Sequence, residues 1–142
     1  MYTILLSPLI AGVIAQAIKF IIRSNKQKFS FKNMLAYSGM PSGHTAMVVS
    51  LTSIIGLVNG VDSPFFAISF VLAIIVIRDA LGMRRYLGQH GRTLNILVRD
   101  LREDEMLDEQ YPHLLERIGH TPLQVLVGGL IGLLVSYLIF LL

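Results

Sequence analysis

Residues 122–142 read PLQVLVGGLIGLLVSYLIFLL. The run carries no charged residue and is as long as one crossing of a bilayer's hydrocarbon core. Gly128, Gly129 and Gly132 punctuate it, and small residues of this kind let membrane helices pack closely. This segment reads as a transmembrane helix, and three further apolar runs precede it. Ile4 to Ile22 is apolar apart from Ser7, Gln16 and Lys19. Thr45 to Val58 ends at Asn59-Gly60, with Val61-Asp62-Ser63-Pro64 as a short turn. Phe65 to Ile77 continues through RDALGMRR into polar territory. The expectation is an all-α integral membrane protein of four transmembrane helices in one domain, 1–142. The expected spans are 3–22, 43–59, 64–83 and 121–142, with a cytoplasmic insertion at 91–119. The second is short unless it borrows residues from Pro41 to His44.

Composition agrees. The chain has 142 residues, 54% hydrophobic and 15% charged, which is too apolar for an ordinary soluble domain. It has no cysteine, which excludes a disulfide framework and thiolate chemistry. The first run is not expected to be a cleaved signal peptide. No basic residue precedes it, and Lys19 and Arg23 stand where a small-residue cleavage site would be.

The 12 Lys and Arg residues fall in two blocks, one from Lys19 to Lys32 and one from Arg78 to Arg117. With four spans both blocks lie on one side. By the positive-inside rule that side is the cytoplasm, and both termini face out. In the insertion, Leu94, Leu97, Val98 and Leu101 follow helical spacing and predict an amphipathic helix, either on the membrane surface or over the protein. REDEMLDEQ (102–110) is an acidic, solvated stretch, and Pro112 is positioned to open a short helix ending at Gly119.

This topology gathers the polar residues at the cytoplasmic helix ends: Lys19 and Arg23, Ser42 and His44, Arg78, Asp79, Arg84 and Arg85, and His120. Ionisable groups bordering a bilayer are costly and are functional candidates. The plainer alternative is that cations anchor helices at the interface, and it suits Lys26, Lys28 and Lys32. The stretch GMPSGHTA (39–46) opens the second span. With Ser42 as N-cap, the helix start directs N–H groups and partial positive charge to the same face, an arrangement suited to phosphate. His44 adds a group that exchanges a proton near neutral pH. The plainer reading is a serine cap with an interfacial histidine. A metal site is weak, because Asp79 is the carboxylate near the helix ends and the arginines around it repel cations. An anionic substrate fits the charge better.

PSGH before an apolar helix resembles the second signature of the type-2 phosphatidic acid phosphatases, a family related to the vanadium-dependent haloperoxidases. That family's third signature looks split here. RRYLGQH (84–90) has its Arg–His spacing, and HTPLQVLVGG (120–129) resembles its second half, with Gln124 where an Asp is expected. The first signature is absent, and Lys19 is its nearest stand-in. The pattern looks most like the family's small divergent branch. The resemblance implies a lipid phosphomonoesterase or diphosphatase without a metal or other cofactor, acting through a phosphohistidine. It maps His44 to the general acid and Ser42 and Gly43 to phosphate ligands, with Lys19, Arg84 and Arg85 as further ligands. The nucleophile is His120 or His90. His120 is preferred because it begins a membrane helix, whereas His90 lies in a Gly-flanked stretch read as a loop. Asp79 is the candidate to orient the nucleophile, and Arg78 and Arg117 are auxiliary candidates. The implied partners are a phosphorylated lipid and the cell membrane. No nucleic acid is implied, and a homodimer is compatible with so thin a bundle. The competing expectations are a degenerate site that binds anionic lipid without turnover, and a small transporter or scaffold.

Overall fold

A computed structural model describes residues 2–22, 39–103, 113–116 and 118–142, with the side chains of 102 and 103 excepted. Five helices stand among the described residues: α1 (Tyr2–Ile21), α2 (Gly43–Asn59), α3 (Pro64–Leu81), α4 (Met83–Glu103) and α5 (Pro122–Leu141). The chain is an all-α integral membrane protein. α1, α3 and α5 are long and apolar enough to cross a bilayer, while α2 is shorter at 17 residues. At 1.5 Å per residue α2 is about 26 Å long, a few ångströms less than the hydrocarbon core.

α2 is the hub of the bundle and packs against α1, α3 and α5. Its position explains its composition. Thr45, Ser50 and Thr52 are buried in it, where lipid does not reach. Ser50 and Ser7 of α1 share a hydrogen bond of 2.8 Å between hydroxyls. Thr52 donates to the carbonyls of Val48 and Ser69, the second tying α2 to α3. Large apolar residues point outward instead: Leu5, Leu9 and Val13 on α1, Ile68 and Ile75 on α3, Leu126 and Leu134 on α5. Lipid is as apolar as leucine, so membrane helices associate through close packing of small residues. The buried small residues here include Ala11, Ala15, Ala46, Ser7 and Ser136. Gly128 and Gly132 of α5 face the start of α2. A methyl at Gly128 would collide with the Ser42 carbonyl, and one at Gly132 would come within 2.5 Å of the Ala46 carbonyl.

The caps follow local sequence. Ser63 accepts from the N–H of Phe66 and is followed by Pro64 at the first helical position. Thr121 and Gln124 form a reciprocal capping box at the start of α5, ahead of Pro122. Span three differs from expectation. α3 stops at Leu81, and Met83 opens a separate helix that takes in both RRYLGQH and the amphipathic 94–101 stretch. His90 is therefore helical, not in a loop. Glycines at 88 and 91 suggested a loop, but both serve helix packing, as described below. The break falls at Gly82 (φ −109°, ψ −85°). There the Ala80 carbonyl accepts the N–H of His120 at 3.0 Å, a bond from outside the helix. Residues 113–116 and 118–120 are not helical. Pro112, the acidic stretch 104–112 and the basic loop residues Arg23, Lys26, Lys28 and Lys32 lie outside the described residues.

Candidate functional site at the basic end of the bundle

α2 begins where the sequence placed it. Gly43 is its first residue and Ser42 its N-cap, with φ −74° and ψ 111°. Ser42 is fully buried, its hydroxyl accepting from the Thr45 N–H and lying 2.9 Å from the Thr45 hydroxyl. The side chain read as a phosphate ligand thus acts as the cap. The N–H groups of Gly43 and His44 still stand at the helix start, where no intrahelical acceptor exists. Two contacts hold this start in place. The Ser42 N–H donates to the Gln124 carbonyl at 3.0 Å, and Gly43 packs beside Gln16 of α1. Gln124, at the position where the resemblance expects an Asp, is thus a double anchor. Its side chain caps α5 and its carbonyl holds α2.

His44 is exposed, one position inside α2. Lys19, in the last turn of α1, is 4% exposed. His120, just before α5, is 6% exposed. Arg84 is half-buried and lies at the start of α4, its Nε donating to Asp79 Oδ2 at 2.6 Å. Lys19, Arg84 and Asp79 all lie within electrostatic reach of His44. Lys19, His44 and Arg84 lie within reach of His120. Five helix ends thus converge on one cluster of two histidines, two cations and a carboxylate. Asp79 was expected to orient the nucleophile. Its carboxylate is on Arg84 instead, and neither ring nitrogen of His120 has a hydrogen-bond partner among the described residues.

Burial, with the fields of Lys19, His44 and Arg84 added, pushes the His120 imidazole down to about 4 from its ordinary value of 6.5. A lowered value means that the neutral ring persists as pH falls through 6.5 and is lost only near 4. The expected result for the protein in vesicles is that the His120 ring resonance titrates with a midpoint well below 6. Lys19→Met should raise that midpoint by removing one cation, although burial, the larger cause, remains. A midpoint at 6.5 in the unsubstituted protein would contradict the burial of the ring.

Arg78, Arg85 and His90 are exposed, and Arg117 is outside the described residues. One feature that sequence reading missed is how His120 is delivered. Residues 113–116 and 118–119 run back along α4, seated on its Gly88, Gly91 and Asn95 face. The Asn95 side chain donates to the Leu114 carbonyl and to Glu116 Oε1, and accepts the Leu114 N–H, each at 2.9 Å. A methyl at Gly88 would strike the Glu116 carbonyl, and one at Gly91 would lie 2.9 Å from the Leu115 carbonyl. Gly119, at φ +118°, lies against the Arg84-Arg85 backbone, and a side chain there would meet Arg85 N at 2.8 Å. The spacing Gly88, Gly91, Asn95 repeats at helical intervals and was the available signal. A second feature is an apolar groove of about 430 Å³ between α1 and α2, lined by Ile4, Leu5, Pro8, Met47, Val48 and Leu51. Met47 stands one turn beyond His44.

The fold and this site define a class: a small helical membrane protein with a histidine and cation cluster at one end of its bundle. The chain belongs to the divergent PAP2 family, whose model it matches over residues 2–135. It is 37% identical over 145 residues to the "Uncharacterized membrane protein YuiD" of Bacillus subtilis (strain 168), covering 93% of this chain and 90% of that one. No solved structure matches it.

Proposed function

We propose that this protein is a membrane lipid phosphatase whose site faces the cytoplasm. The carrying observation is that buried His120 and exposed His44 share one cluster with Lys19 and Arg84. In this reading the neutral His120 ring attacks phosphorus. A P–N bond forms, the P–O bond to the lipid breaks, and His44 gives its proton to the leaving oxygen. Water then attacks the phosphohistidine, His44 takes the proton of that water, the P–N bond breaks and phosphate leaves. Lys19, Arg84 and the N–H groups of Gly43 and His44 stabilise the phosphoryl oxygens. Asp79 fixes the Arg84 guanidinium. The groove beside Met47 suits the first part of an acyl or prenyl tail, because a head group at His44 leaves the chain pointing along α2. The positive-inside rule supports the cytoplasmic placement.

The test is phosphate release by purified protein from a panel of phosphatidate, phosphatidylglycerophosphate and polyprenyl diphosphates, with and without EDTA. Release from at least one lipid, undiminished by EDTA, is expected. No release from any would overturn the reading, and inhibition by EDTA would overturn its metal-free form. A second reading has one observation in its favour. Gln124 is used as a cap and Asp79 is tied to Arg84, so among the described residues no carboxylate is bonded to the His120 ring. That geometry also suits a protein that binds anionic lipid phosphate without turnover. Saturable binding of phosphatidate with no release would select it.

A further inference from the structure

α4 presents three distinct faces. At 100° per residue, Gly88, Gly91 and Asn95 fall on one side, where residues 113–116 and 118–119 are seated. Arg85, Arg92 and Arg99 fall together on a second, fully exposed side. Met83, Leu87, Leu94, Leu97 and Leu101 fall on a third, which spans about 100° with Tyr86 at its edge. Every one of these apolar side chains is exposed, from 68% at Met83 to 40% at Leu101. His90 is the polar member of the stripe, and Ile96 is an exposed apolar residue off it. A stripe of this length left in water would be unusual for a folded chain.

We propose that α4 lies in the plane of the membrane, its Met83–Leu87–Leu94–Leu97–Leu101 stripe sunk into the headgroup–acyl boundary at the basic end of the bundle. Continuity carries the choice of occupant. α3 is one of the membrane-spanning helices, and its lipid-facing residues Leu72 and Ile75 lead directly to the break at Gly82. Met83, the first residue of the stripe, therefore starts at the depth where α3 leaves the bilayer. At Gly82 the backbone leaves helical values (φ −109°, ψ −85°), and the Ala80 carbonyl accepts the His120 N–H. Charge complements the arrangement. The helix carries five arginines (84, 85, 92, 99 and 102) against Asp100 and Glu103. The exposed arginines lie about opposite the stripe, so rotation about the helix axis would either bury cations or expose leucines. Covering the glycine side with residues 113–116 and 118–119 removes the remaining freedom. The same helix then sets the depth of the site, because its glycine face delivers the segment that ends in His120. None of this depends on whether the site turns over a lipid.

The chain contains neither cysteine nor tryptophan, so single probes report without background. Spin labels at Leu87→Cys, Leu94→Cys, Leu97→Cys and Leu101→Cys, with Arg92→Cys and Arg99→Cys as references, would be read in vesicles for relaxation by oxygen and by an aqueous nickel chelate. Oxygen partitions into lipid and the chelate into water. A ratio of oxygen to nickel access several-fold higher along the stripe than at the two arginine positions is expected. Equal nickel access at both sets would mean that α4 stands in water and would overturn the proposal. Protection of the stripe from both reagents would mean that protein covers it, whether a second copy or another segment of the chain, and would overturn it equally. Leu94→Trp and Leu97→Trp provide an independent reading if a label perturbs folding. Their emission should be quenched by brominated lipid and little affected by iodide, and the reverse pattern would overturn the proposal.

Discussion

His120→Ala is expected to abolish phosphate release, with a loss of about 10⁴-fold or more, because removing a covalent nucleophile leaves only binding and electrostatic stabilisation. His44→Ala should lose about 10²–10⁴-fold, the range of a general acid. It should be partly spared on diphosphate lipids, whose leaving phosphate needs less protonation. His90→Ala should retain activity, since His90 is exposed on α4. Trapping with radiolabelled lipid phosphate should give an acid-labile phosphohistidine in the wild type and none in His120→Ala. Equal release by His120→Ala would sink the nucleophile assignment, and loss in His90→Ala with retention in His120→Ala would reverse it. Burial makes the first assignment physically reasonable. A ring held neutral down to about pH 4 keeps its lone pair available across the physiological range. An incoming phosphate dianion, by opposing Lys19 and Arg84, would raise that value in the complex. The acid limb of kcat is therefore expected at higher pH than that of kcat/KM.

Much of this protein was legible because a bilayer imposes simple rules. Long apolar runs mark α1, α3 and α5, and the absence of Lys and Arg from 122–142 needed no structural help. Ser42 as a cap and His44 just inside the helix followed from local chemistry. The limits were equally physical. Helix or loop at 83–93 turned on glycines, and a glycine is as useful for close packing as for a turn. Only the path of residues 113–116 and 118–119 distinguishes the two uses, and that path is a tertiary fact. The role of Gln124 was hidden likewise. The resemblance suggested a vacancy where an Asp should be, whereas the Thr121–Gln124 spacing is also a capping box, and the fold uses it as one. Asp79 and Arg84, five positions apart, straddle a helix break. No helical periodicity would have paired them.

Gly128→Val is expected to remove the folded protein from the membrane fraction or, where it survives, to abolish the site without touching any charged residue. In α5, Gly128 is where the backbone of α2 comes closest, and even a methyl there would collide with the Ser42 carbonyl. That carbonyl accepts the first helical bond of α2, from Ala46, while the Ser42 N–H is held by Gln124. Relief of the clash must therefore move the cap, Gly43 and His44 together. Overpacking costs about 1–3 kcal/mol where side chains can yield. Here backbone meets backbone, so the upper end or beyond is expected. Gly128→Ala separates packing from helix propensity. Alanine favours an isolated helix by about 1 kcal/mol over glycine, so a stabilised Gly128→Ala variant would show that α5 and α2 do not approach closely. A fall in thermal midpoint accompanied by loss of anion binding would show that the approach builds the site. Gly129→Ala is the control, because a methyl there meets Val49 and Thr45 at 3.8 and 3.9 Å, ordinary contact distances. It should leave both stability and binding near wild type, although it lies one residue away in the same apolar helix. If Gly128→Ala and Gly129→Ala behaved alike, the specific crossing of α2 and α5, and with it the placement of His44, would be wrong.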